Sequence, residues 1–222
     1  MEVQSIIVFS MELIGTIAFA ASGAMTGING KMDIFGVCVL GVITAVGGGI
    51  ARDVILGNVP GALTNPVYVA AALFASLIVF ALLYFRKNLF QGKFGVLYDK
   101  TMLVMDSIGL GIFTAVGVMT GIHEGYVENT FLLVVLGTLT GVGGGLLRDI
   151  MAGQPPYIFV KHVYACASVI GAVSCVWIYR ETGQIAAMSA SSAIVIIIRF
   201  LAAYYHWNLP RIKLGDSLKL RT

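Results

Sequence analysis

The sequence predicts an all-α integral membrane protein of seven transmembrane helices: two related three-helix repeats of opposite orientation, followed by a seventh helix. Its 222 residues are 58% hydrophobic and only 11% charged, with a mean hydropathy of +0.92, where soluble domains carry about 25% charged residues. The apolar residues gather into runs close to the roughly 20 needed to span a bilayer. A heptapeptide recurs in both halves of the chain, and the basic residues lie almost entirely on one side of the predicted spans. The spans and their loops use nearly the whole chain as one membrane domain, which leaves no room for a soluble catalytic domain.

The apolar runs fall near 5–27, 34–56, 66–85, 101–121, 129–152, 161–179 and 184–205, with a polar stretch from Arg86 to Lys100 and a basic tail over 206–222. The opening Met1-Glu2-Val3-Gln4 lacks the positive n-region of a signal peptide, so the first run is expected to be a retained helix. The face holding the loops after spans one, three and five and the C-terminus carries Lys31, Arg86, Lys87, Lys93, Lys100, Lys161, Arg211, Lys213, Lys219 and Arg221; the other carries Arg180. That bias predicts an outside N-terminus and a cytoplasmic C-terminus in a cell inner (plasma) membrane.

The two halves share more than hydropathy. Gly47-Gly48-Gly49-Ile50-Ala51-Arg52-Asp53 returns 96 residues later as Gly143-Gly144-Gly145-Leu146-Leu147-Arg148-Asp149, and Gly57, Pro60 and Val67-Tyr68 return as Gly153, Pro156 and Val163-Tyr164. In the first span the offset is 94: Glu12 meets Asp106, Phe19 meets Phe113, Gly23 meets Gly117. Residues 5–85 and 101–179 are therefore read as two copies. Three spans is an odd number, so the second copy enters the membrane from the opposite side. Transport folds use this arrangement, with the pathway near the repeat interface.

Three chemical signals follow from the duplication. Each glycine in a helix interior costs about 1 kcal/mol against alanine, and exposed backbone inside a membrane needs cover from protein or water. The reading taken is that spans two and five break at Gly47, Gly48 and Gly49 and at Gly143, Gly144 and Gly145. Freed carbonyls of Gly47, Gly48, Gly143 and Gly144 would then meet a dehydrated monovalent cation. Close helix packing at small residues is the alternative.

Arg52, Asp53, Arg148 and Asp149 are charges within spans, which face a cavity or one another. Neighbouring positions on a helix do not face each other. Pairing across the copies (Arg52 with Asp149, Arg148 with Asp53) and snorkelling to the interface both stand as readings. Glu12 and Asp106 each start a span and read either as acidic mouths of one pathway or as interfacial residues.

Other features read as structure. Cys38, Cys166 and Cys175 sit in apolar runs as small packed side chains, since an odd count without CxxC spacing fits neither a disulfide framework nor a zinc site. Trp177, Tyr179, Tyr204, Tyr205 and Trp207 resemble interfacial belts, and Arg199 is expected to snorkel. His123, His162 and His206 have no metal-ligand spacing. No HExxH, GxSxG or Cys-His constellation appears, so an enzyme is not expected. Seven spans alone suggest a receptor, but the last span holds no lysine for a retinal Schiff base. No like-charge run points to nucleic acid.

With its doubled Gly-Gly-Gly-x-x-Arg-Asp motif the chain resembles prokaryotic members of the trimeric intracellular cation channel (TRIC) family, whose bacterial relatives are also described as two-copy glycine transporter domains. The resemblance covers residues 5–205. It implies a homotrimer in a lipid membrane, each subunit with its own pore for monovalent cations, chiefly potassium with sodium as the second candidate, and no cofactor. It places spans one, two, four and five around that pore and carries function onto Gly47, Gly48, Gly49, Arg52, Asp53, Gly143, Gly144, Gly145, Arg148 and Asp149. Animal members carry a lysine-containing motif near these positions and bind a phosphoinositide there; the Arg-Asp found here departs from it. The alternative function is a secondary transporter of a small amino acid such as glycine.

Overall fold

The structure, a computed structural model, describes residues 3–85, 94–160 and 163–207. His162 and the basic residues Arg86, Lys87, Lys93, Lys161, Arg211, Lys213, Lys219 and Arg221 lie outside the described residues. Helices α1 (Val3–Asn29), α2 (Ile34–Ile55), α3 (Gly61–Thr64), α4 (Val67–Phe85), α5 (Phe94–His123), α6 (Thr130–Met151), α7 (Tyr157–Val160), α8 (Tyr164–Thr182) and α9 (Gln184–Tyr204) follow in order. All but α3, α7 and α8 are long and apolar enough to cross a membrane, six in total among the described residues. The 19-residue α8, where the sixth span is expected, is as long as α4, but it ends in Arg180-Glu181-Thr182 and is the less apolar of the two.

The ends of α2 and α6 show why these segments are helices of equal length. Asp33 accepts from the Gly36 amide at 2.7 Å and Asn129 from the Leu132 amide at 3.0 Å, so equivalent positions cap both N-termini, each cap being worth about 1 kcal/mol. At the other end, Gly57 (φ 76°) and Gly153 (φ 65°) take the left-handed conformation. The amides after them close back on the Asp53 and Asp149 carbonyls, both at 2.9 Å. Only a residue free of Cβ strain makes this stop cheaply.

Between those caps α2 and α6 run as uninterrupted helices through all six glycines, which corrects the expected breaks. The glycines serve close approach instead. A methyl group added at Gly48 would stand 2.2 Å from the Thr140 carbonyl oxygen, and one at Gly144 would stand 2.1 Å from that of Thr44. The two helices thus cross backbone to backbone, and the tight crossing offsets the poor helix propensity of glycine. Gly23 and Gly117 repeat the pattern where α1 meets α2 and α5 meets α6, with the Thr44 and Thr140 hydroxyls each 2.5 Å from an added methyl.

Helix α5 starts at Phe94, seven residues before the expected span, and extends through Tyr98-Asp99-Lys100. Backbone hydrogen bonds carry a helix past its apolar segment, and here 30 residues form one rod. It is the hub, packed on α1, α6, α8 and α9. Leu110, Ala115, Val118 and Met119 of α5 are almost completely buried, whereas α4 turns Phe74, Ile78, Leu82 and Phe85 outward. Cys38 and Cys175 are buried free thiols.

Candidate functional site

Each Arg-Asp motif ends a long helix, and each aspartate ties that end to the chain returning beneath it. Asp53 Oδ2 accepts from the Gly61 amide at 2.8 Å, and Asp149 Oδ2 accepts from the Tyr157 amide at 2.8 Å, eight residues on in both cases. The other carboxylate oxygen takes the arginine. Arg52 reaches Asp53 Oδ1 through Nε at 2.8 Å and Nη2 at 2.7 Å, and Arg148 Nε reaches Asp149 Oδ1 at 2.8 Å. Neighbouring residues therefore do pair, and none of the ion pairs among the described residues crosses between Arg52 and Asp149 or between Arg148 and Asp53. The long guanidinium stem curls along its own helix end, which the spacing argument overlooks for a side chain this long.

From this shared frame the two clusters diverge. Around Arg148 the charges are buried. Arg148 Nη1 donates to Asp106 Oδ1 at 2.6 Å and to Ser22 Oγ at 3.1 Å, while the guanidinium carbon lies 5.3 Å from the centre of the Tyr157 ring. Arg148 and Asp106 are fully buried and Asp149 nearly so. Asp106, read from the sequence as a pathway mouth or an interfacial residue, is instead buried and paired with Arg148. Gly145 makes room for the arrangement, since a methyl there would lie 2.9 Å from the Tyr164 hydroxyl.

Around Arg52 the cluster is open. Glu12, the counterpart of Asp106, accepts a hydrogen bond from the Tyr68 hydroxyl, and no ion pair joins it to Arg52. Glu12, Thr16, Gly49, Arg52, Asp53 and Tyr68 line a cavity of about 90 Å³, which also reaches Phe113. That volume suits a few water molecules or a partly hydrated ion. Between the clusters, Phe19 and Phe113 face each other with ring centres 5.3 Å apart and planes at 35°.

Of the glycines singled out, Gly49 lines this cavity, and Gly48 and Gly144 make the helix crossing, with Gly143 against the Gly48 Cα and Gly47 against Leu147. A cation at the carbonyls of Gly47, Gly48, Gly143 and Gly144 was expected from broken helices, and unbroken helices use those carbonyls internally. Arg199 does not snorkel. It is 2% exposed, and its guanidinium carbon lies 4.7 Å from the Tyr164 ring centre. Sequence reasoning missed Ser22, Tyr157 and the inward turn of Arg199. Tyr157 had a signal in the sequence: it stands eight residues after Asp149, as Gly61 does after Asp53. No group of three or more His, Cys, Asp or Glu residues suited to a metal ion occurs among the described residues.

Six apolar spanning helices and paired charges held inside them define a multi-pass, all-helical membrane protein. The chain belongs to the family described as "Glycine transporter", whose model matches residues 9–84 and 103–180. A UPF0126 membrane protein of Deinococcus radiodurans is 34% identical over 204 residues, covering 90% of this chain and 89% of the relative. The UPF0126 inner membrane protein YadS of Escherichia coli K12 is 32% identical over 219 residues, covering 95% and 99%. Among solved structures, a TRIC cation channel matches with TM-score 0.79 at 35% identity over 93% of this chain and 98% of its own. A prokaryotic TRIC channel matches with TM-score 0.82 at 27% identity over 92% and 100%. The TRIC orthologue of Rhodobacter sphaeroides matches with TM-score 0.79 at 26% identity over 90% and 98%. The chain is thus similar to prokaryotic TRIC channels, as its motifs suggest, and the likeness supports a cation channel.

Proposed function

We propose that this protein is a passive monovalent-cation channel, chiefly for potassium and secondarily for sodium, with a pathway inside each subunit of a homotrimer. The chain is a single inner-membrane domain in which α8 completes seven crossings. Its two three-helix copies run in opposite directions, the N-terminus outside and the C-terminus cytoplasmic. The observation that carries this reading is the pair of equivalent Arg-Asp clusters on either side of Phe19 and Phe113, one opening into a cavity with two carboxylates against one guanidinium. An excess of acid in a confined, partly wet space concentrates cations. Arg52, Asp53, Arg148 and Asp149 line or close the route with Glu12 and Asp106, Gly49 borders it, and the remaining motif glycines hold the crossing that shapes it. The trimer draws support from the description of the Rhodobacter sphaeroides orthologue as trimeric. The inner-membrane location draws on the naming of YadS.

Planar-bilayer recording of the purified protein under a potassium chloride gradient tests the reading. Discrete steps reversing near the potassium potential are expected. A second reading, a carrier for a small amino acid such as glycine, rests on the asymmetry itself, since alternating access requires one side open while its counterpart is sealed. Electrical silence with saturable, coupled glycine uptake into proteoliposomes would favour the carrier and overturn the channel.

A further inference from the structure

The duplication gives each cluster the same charge count. Glu12, Asp53 and Arg52 sum to one net negative charge, and so do their counterparts Asp106, Asp149 and Arg148. In water that excess is harmless, and the Arg52 cluster borders its cavity with the arginine side chain 13% exposed. The Arg148 cluster is sealed: Asp106 and Arg148 are 0% exposed and Asp149 is 1%. Removing charges from water costs several kcal/mol per ion even when they are paired, and an uncompensated charge costs more. With both carboxylates ionised, the sealed copy carries one more negative charge than its own arginine balances.

A further positive charge is present, and it comes from outside the duplication. Arg199 lies on α9, which has no counterpart in either copy, and it too is buried. Its guanidinium covers the Tyr164 ring. The Tyr164 hydroxyl points to the place beside Gly145 where Arg148 Nη2 and Asp106 Oδ1 also converge, 2.9, 3.6 and 3.6 Å from the position of an added methyl. Asp99 and His206 share with Arg199 and Tyr157 a cavity of about 330 Å³; Asp99 is exposed, so it does not enter the buried count. The buried group therefore holds two carboxylates and two guanidiniums, carried by three helices around a tyrosine ring from a fourth.

We infer that Arg199 is the balancing charge of the sealed cluster: it brings that cluster to neutrality and, through Tyr164, holds the route closed there. Among the described residues that line its cavity, the Arg52 side has no second guanidinium, and it keeps its net negative charge. This rests on the proposal that the route passes both clusters.

The test compares full-length wild type with Arg199→Gln, Arg199→Lys and the double variant Arg199→Gln/Asp106→Asn. Potassium flux is measured in proteoliposomes and thermal unfolding in detergent. Arg199→Gln leaves the cluster net negative and hydrated. It should raise flux about tenfold, equivalent to about 1.4 kcal/mol in the open-to-closed ratio, and lower the unfolding midpoint. The double variant restores neutrality and should return both readouts towards wild type, and Arg199→Lys should remain near wild type. Equal behaviour of Arg199→Gln and Arg199→Lys, or no recovery of the midpoint in the double variant, would overturn the inference in favour of simple packing. If Arg199→Gln gives no folded protein, folded double variant supports the balance and its absence overturns it. Absence of flux from wild type would sink the channel proposal instead, and the midpoint comparison would still decide the role of Arg199.

Discussion

The Arg52 and Arg148 clusters are built from the same motif, capped by the same turn and tied by the same carboxylate-to-amide bond, yet one is open and the other closed. The difference comes from partners supplied by the rest of the chain. Asp106 turns to Arg148, whereas Glu12 turns to Tyr68, and α9 packs against α5 and α8 to lay Arg199 over Tyr164. Local sequence sets a charged frame, and the surrounding helices determine whether water enters it.

The largest effect should come from breaking what the two sides share. Gly48→Leu and Gly144→Leu each drive a side chain into a carbonyl oxygen of the facing helix, an overlap that costs at least about 1–3 kcal/mol and more where backbone must move. Both should abolish properly folded protein, as monitored by size-exclusion profile and thermal unfolding. A folded, conducting Gly144→Leu beside an unfolded Gly48→Leu would show that the crossing is not shared equally. Next come the arginines. Arg148→Gln leaves Asp106 buried without its partner and should cost about 3–5 kcal/mol, whereas Arg52→Gln, at a pair that borders a cavity, should cost less. Denaturant titration of the two variants measures this gap directly, and equal losses would break the distinction between open and sealed.

Smaller effects sharpen the comparison. Phe113→Ala removes a ring that lines the open cavity and should raise single-channel conductance; an unchanged conductance would place the narrowest point elsewhere. Tyr68→Phe removes one hydrogen bond to Glu12 and should cost about 1 kcal/mol, read as a modest fall in the unfolding midpoint. The smallest change is expected for Glu124→Gln, whose exposed contact with Asn58 at 2.8 Å links the turns after α2 and α5. Surface changes of this kind stay within about 0.5 kcal/mol.

Much of this architecture was readable from residues alone. The apolar runs located the long helices, and the offsets of 94 and 96 paired Gly23 with Gly117 and Gly48 with Gly144, glycines that make equivalent close contacts. What misled was reasoning confined to one helix. The propensity cost of Gly47-Gly48-Gly49 argued for a break because the compensating contact, the Thr140 carbonyl, lies on a helix about 90 residues away. The rule that neighbours diverge failed for Arg52 and Asp53 because a guanidinium on a long stem bends back to a carboxylate already fixed by the Gly61 amide. Arg199 read as an interfacial residue because its distance from the span end was visible and the Tyr164 ring was not.

The crossing of α2 and α6 also bears on how such a chain arose. Each helix presents a threonine carbonyl to the other's middle glycine, Thr44 to Gly144 and Thr140 to Gly48, so the surface is complementary to itself. A shorter polypeptide holding one such helix, with its own caps and its own Asp-to-amide tie, would present the same surface to a second, identical molecule across that seam.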